Sequence, residues 1–90
     1  MRLLLTLFLT AITLGGTLAQ SYAASCNQLW VERNSYYKNA GYCFATQRAI
    51  SYFGNGGCSI SDQSQVRLSG AVQNRIAAIQ QMEKRQGCAD

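Results

Sequence analysis

Two kinds of hydrophobic pattern divide the chain. From Leu3 to Leu18 the residues are apolar apart from interspersed Thr and Gly, behind the short charged start Met1-Arg2 and ahead of small residues around Ala19 and Ala23. A positive start, a short apolar core and small residues at the end make the pattern of a signal peptide. The expected cut follows Ser21-Tyr22-Ala23, with Thr17-Leu18-Ala19 as the competing site. The apolar run is too short and too rich in Thr to favour an uncleaved membrane span. A lipid-anchor reading at Ala23-Ala24-Ser25-Cys26 lacks the usual Leu ahead of the small residues. Residues 1–23 are therefore expected to be removed, leaving 24–90 as one domain with no stable membrane insertion.

Beyond residue 23 the apolar positions are spaced for helices. Leu29, Arg33, Tyr36, Tyr37 and Ala40 recur at helical intervals, which predicts a first helix over about 27–39 with Asn27 as its N-cap and Gly41 as its left-handed stop. Thr46 caps a shorter second helix to Phe53, with Ala49, Ile50 and Phe53 on one side and Gly54 as its end. Gly54-Asn55-Gly56-Gly57 is too glycine-rich for a helix or strand and predicts a turn. Residues 59–68 are polar and read as irregular. The third helix is the clearest: Ser69 caps it, Val72, Ile76, Ile79 and Met82 form an apolar stripe, and Gly87 ends it. Gln73, Asn74, Gln80, Gln81 and Lys84 take its solvent face, and Lys84 and Arg85 in the last turn suit the helix dipole. The fold class expected is all-α, a small domain of about three helices.

Size and cysteine count change this picture by requiring a staple. Removing 23 of the 90 residues leaves 67, a length at which a hydrophobic core alone supplies about 3 to 5 kcal/mol. Four cysteines in an exported chain read as two disulfides, and three pairings are open. If helices one and three pack antiparallel, Cys26 at the start of the first lies beside Cys88 at the end of the third, and Cys43 then pairs with Cys58. The net charge is +4, of which Arg2 carries one, so the mature part holds +3. That dispersed charge suits weak attraction to an anionic envelope surface and lacks the basic run of a nucleic-acid-binding tail.

The chain contains no histidine. The commonest general base, the Ser-His and Cys-His nucleophile pairs and the usual zinc ligand are thereby removed. No Cys-x-x-Cys knuckle suggests a metal, and Gly54 to Gly57 lack the Lys-Ser/Thr of a phosphate loop. Glu32 and Glu83 are the only acidic pair on predicted helices, and solvated helix charges explain them more simply than a glycosidase pair. No catalytic residue, cofactor or metal is expected. The aromatic residues Trp30, Tyr36, Tyr37, Tyr42, Phe44, Tyr52 and Phe53 read mostly as core, with an exposed stacking face as the alternative. Arg33, Asn34 and Arg48 read either as partners for buried polar groups or as ligand contacts.

The spacing Arg33-Asn34-x-x-Tyr37-x-x-x-Gly41-Tyr42-x-Phe44 resembles the YARHG domain family. Leu29-Trp30 upstream and Arg48-Ala49-Ile50-x-x-Phe53-Gly54-Asn55-x-Gly57-Cys58 downstream are similar to a cysteine-containing branch of single-domain secreted proteins in that family. At the naming motif this chain has Tyr37-Lys38-Asn39-Ala40-Gly41, keeping the outer Tyr and Gly without the Arg-His pair. The resemblance implies an extracellular or periplasmic domain, often attached to peptidases or cell-wall-associated modules, and brings no catalytic activity or defined ligand.

The function expected is a non-enzymatic, envelope-associated module that binds peptidoglycan or another wall component. Trp30, Arg33, Asn34, Tyr37 and Arg48 are its candidate binding residues. The competing expectations are an inhibitor or accessory protein of an exported enzyme and a cationic secreted effector. The effector fits least, because the polar face of the third helix carries Gln where Lys and Arg would be needed.

Overall fold

The computed structural model describes residues 23–89; the expected signal peptide lies outside the described residues apart from Ala23. Three α-helices follow in order, α1 (Cys26–Asn39), α2 (Gln47–Phe53) and α3 (Gly70–Gln86), with a single 3-10 turn at Gln63–Gln65 between the last two. No strand occurs among the described residues, so the domain is all-α.

The start of α1 differs from the sequence expectation. Ser25, not Asn27, is the cap: its hydroxyl accepts the Gln28 N–H at 3.1 Å, while Gln28 Oε1 accepts the Ser25 N–H at 2.8 Å. This reciprocal pair satisfies two helix-start donors at once, more than Asn27 alone could do. Asn27 is left inside the first turn, where its side-chain oxygen accepts from Arg48 instead. The other caps fall at the expected residues, with Thr46 accepting from the Ala49 N–H and Ser69 from the Val72 N–H. Gly87 closes α3 in the left-handed conformation.

Beyond α1 the chain turns at Gly41, whose φ is +89°, a conformation costly for any residue with a Cβ. The Gly41 carbonyl accepts from the N–H groups of Ser59 and Ile60 at 2.8 and 3.1 Å, and the Cys43 N–H donates to the Ile60 carbonyl at 2.8 Å. These bonds fasten the α1–α2 connection to the segment after Cys58 through an isolated parallel bridge between Tyr42 and Ile60. The Cys43–Cys58 disulfide staples the same two segments, and Cys26–Cys88 joins the start of α1 to the end of α3. Helices α1 and α3 therefore run antiparallel, with α2 packed on α1.

The buried apolar residues are Leu29, Trp30, Phe44, Ala49, Ile76 and Ile79. Trp30, Phe44 and Ala49 form one cluster, with Val31, Tyr37, Tyr42 and Phe53 packed around it. Asn55 latches this cluster shut by bonding both backbone groups of Phe44, its Oδ1 accepting the Phe44 N–H at 2.8 Å and its Nδ2 donating to the Phe44 carbonyl at 3.0 Å. Two aromatic expectations are corrected. Tyr52 is 59% exposed, and the half-buried Tyr36 is held by a hydrogen bond to Glu32.

Candidate functional site

The helical repeat aligns four side chains on one face of α1. Trp30, Arg33, Asn34 and Tyr37 stand at positions i, i+3, i+4 and i+7, and Gln80, Glu83 and Lys84 repeat the first three of those intervals on α3. These two rows, together with Thr46, Arg48 and the aromatic pair Tyr42 and Phe44, line a groove of about 700 Å³. All five candidate binding residues named from the sequence line it.

Each holds a different place there. Trp30 is only 6% exposed: the Tyr52 ring meets it edge-on at 5.8 Å, Phe53 lies at 5.7 Å, and the Arg48 guanidinium sits 3.8 Å above its ring. Arg48 is exposed and donates to Asn27 Oδ1 at 3.0 Å, so a cation–π contact and a hydrogen bond both hold its guanidinium at the groove edge. Asn34 is 8% exposed, and its Nδ2 donates to the Trp30 carbonyl at 2.9 Å. That contact fixes which end of the amide is nitrogen. Tyr37 is half-buried and meets Tyr42 edge to face at 5.8 Å.

Arg33 forms a two-pronged ion pair with Glu83. Its Nε donates to Oε1 and its Nη2 to Oε2, both at 2.9 Å, with the two side chains 13% and 11% exposed. Glu83 is therefore not the solvated helix charge that the sequence suggested. The signal was present in the spacing, because Glu83 lies four residues after Ile79 and seven after Ile76 and so falls on the buried stripe of α3. A carboxylate buried there requires a cation, and Arg33 on the facing helix provides it.

The other carboxylate of the expected pair lies away from the groove. Glu32 accepts two hydrogen bonds from Arg75 at 2.7 and 2.8 Å and one from the Tyr36 hydroxyl at 2.7 Å. The Arg75 hydrogen bonds first, then that of Tyr36, hold its carboxyl down at about 2. The same contact pushes the Tyr36 hydroxyl above its ordinary value, since the neighbouring carboxylate disfavours a phenolate. All four cysteines are in disulfides.

Lys84, Thr46, Gln63 and Gln80 also border the groove and were missed as site residues. Lys84 and Gln80 were assigned to the solvent face of α3, and their exposure agrees with that assignment; periodicity cannot show that part of this face borders a concavity. Thr46 was read only as a cap, and Gln63 stands in the segment expected to be irregular.

A family model described as the YARHG domain matches residues 6–84, most of the chain. Neither a curated protein nor a solved structure gives a significant match.

Proposed function

The chain belongs to the YARHG domain family, and on that premise we propose that it works outside the cytoplasm as a non-enzymatic envelope module whose groove takes peptidoglycan or another anionic wall component. The observation that carries the proposal is the convergence of Trp30, Arg33, Asn34, Tyr37 and Arg48 on a single groove. A concave site with a few convergent polar groups over an aromatic floor is the usual form of a binding site. Export is supported by the two disulfides, which persist in oxidising compartments. The absence of enzymatic chemistry is supported by the lack of histidine and by the state of the two glutamates, each occupied by an arginine fork.

Within this proposal Arg48 and Tyr37 are the reachable contacts, and Trp30 acts from the floor by holding Arg48 in place. Co-sedimentation of the oxidised protein with purified peptidoglycan sacculi tests the proposal. The expected result is pelleting that survives physiological salt and is lost in Arg48→Ala while the helical circular dichroism spectrum is retained. Pelleting at low salt alone would reduce the interaction to general charge attraction.

A second reading, an inhibitor or accessory protein of an exported enzyme, is favoured by the exposed apolar residues Ile50 and Tyr52 on α2. It predicts co-purification of one stoichiometric partner and no pelleting with the wall.

A further inference from the structure

Resting on the wall-binding proposal, we infer that the groove takes a carboxylate-bearing peptide and not a glycan strand. A stacked sugar needs an open aromatic face, and the groove offers little of one. Trp30 is covered by Arg48, Tyr52 and Phe53; Phe44 is buried and stacked on Phe53 at 5.1 Å; and Tyr37 and Tyr42 meet edge to face. Tyr52, whose ring is exposed, does not line the groove.

The charges in the lining favour an anion. Four lining residues are charged, and Glu83 cancels Arg33 through their two-pronged pair. Arg48 and Lys84 remain, two cations from different helices bordering one groove. The Arg48 guanidinium is already held in place by the indole and by Asn27. A guanidinium carries five N–H donors, and the hydrogen bond to Asn27 uses one of them. A planar fork therefore remains for a carboxylate, in the geometry that arginine matches best. Lys84 is exposed and supplies a second point charge.

Asn34 adds an acceptor. Its Nδ2 is committed to the Trp30 carbonyl, so the part of its amide left to serve a ligand in the groove it lines is the accepting oxygen Oδ1. The backbone N–H of a bound peptide is a donor of the kind that oxygen takes. Gln63 and Gln80, elsewhere in the same lining, supply the mixed donors and acceptors that peptide groups use. Carboxylate for Arg48 and Lys84, N–H for Asn34 and no sugar face together describe a short acidic peptide.

Trp30 is the only tryptophan in the chain, so its fluorescence reports on the groove directly. The test titrates the oxidised protein, purified after export, with three probes. These are peptides released from sacculi with free carboxylates, the same peptides with the carboxylates amidated, and the peptide-free glycan strands left by the digestion. Intact sacculi are pelleted in parallel. The expected result is a saturable emission change with the free peptides, binding about tenfold weaker or worse after amidation, and no response to the glycan strands. Arg48→Gln and Lys84→Gln should each weaken peptide binding by about tenfold, with the fold retained in both and the melting temperature unchanged in the Lys84 variant. The exposed Lys84 serves if Arg48 proves necessary for folding.

Binding to glycan strands, or equal binding of free and amidated peptides, overturns this inference while leaving wall binding standing. Pelleting with sacculi but no response to either fragment does the same. Peptide binding without pelleting supports the inference and overturns the wall as the target. Silence in every arm overturns both.

Discussion

At the residue scale the contrast between the two glutamates separates structural from superficial charge. Glu83 and Arg33 are nearly buried as a pair, whereas Glu32 and Arg75 are 35% and 46% exposed. A nearly buried two-pronged pair is shielded from solvent and holds its carboxylate by two charge-assisted hydrogen bonds, whereas an exposed pair is weakened by water and contributes little. Glu83→Gln should therefore lower the urea midpoint far more than Glu32→Gln measured alongside it, and equal small losses would contradict the pairing. Glu32 makes its own prediction in acid. Its folded pKa is lowered from 4.5 to about 2, so its contribution is fully present above pH 4.5 and is lost as pH falls towards 2. Stability followed by circular dichroism should show the gap between wild type and Arg75→Gln shrinking across that window, because the substitution removes the main cause of the shift; a gap independent of pH would exclude it. Sequence placed Arg33 and Asn34 within the first helix beside aromatic residues, and of the two roles it offered Asn34, that of a partner for a backbone group is seen in its bond to the Trp30 carbonyl. The partner of Arg33 was not legible, because it depends on which residue of α3 comes opposite in three dimensions.

At the element scale the ends of the helices were written in local chemistry. Thr46, Ser69 and Gly87 act within four residues of themselves, so spacing alone located them. Ser25 was missed because the tempting Asn27 followed closely, and only the reciprocal bond with Gln28 decides between them. The bridge between Tyr42 and Ile60 was also invisible, since it joins short segments without strand periodicity. Those segments depend on a staple, and the two disulfides should differ in effect by the loops they close. Cys43–Cys58 spans 15 positions and Cys26–Cys88 spans 62, which the chain-entropy account values at about 3 and about 4 kcal/mol respectively. The double serine variant at Cys26 and Cys88 should accordingly melt at a lower temperature than the one at Cys43 and Cys58. The reverse order would mean that the fastening of the α1–α2 connection, not restriction of the unfolded chain, governs stability.

At the scale of the whole molecule the antiparallel packing of α1 and α3 does two jobs. It brings Arg33 to Glu83, and it places the Gln80, Glu83 and Lys84 row opposite the Trp30, Arg33, Asn34 and Tyr37 row, so the groove is a product of topology. Sequence could nominate the members of the α1 row as aromatic and Arg-Asn residues, although the helical spacing it read placed Leu29, Arg33, Tyr36, Tyr37 and Ala40 together. The α3 row becomes part of the site only once the helices are paired. The aromatic residues then divide by position: Trp30 and Phe44 form the floor, and Arg48 occupies the face that a stacking ligand would need. The central claim is that this groove is the binding surface. The most direct test is a two-dimensional 15N–1H titration of the oxidised protein with soluble wall fragments. The account predicts that the Trp30 indole N–H, the Asn34 side-chain amide and the backbone of Arg48 and Lys84 shift together with one affinity, while Asn74 and Arg75 on α3 stay still. Shifts confined to Ile50 and Tyr52, or spread evenly over the basic residues, would contradict it.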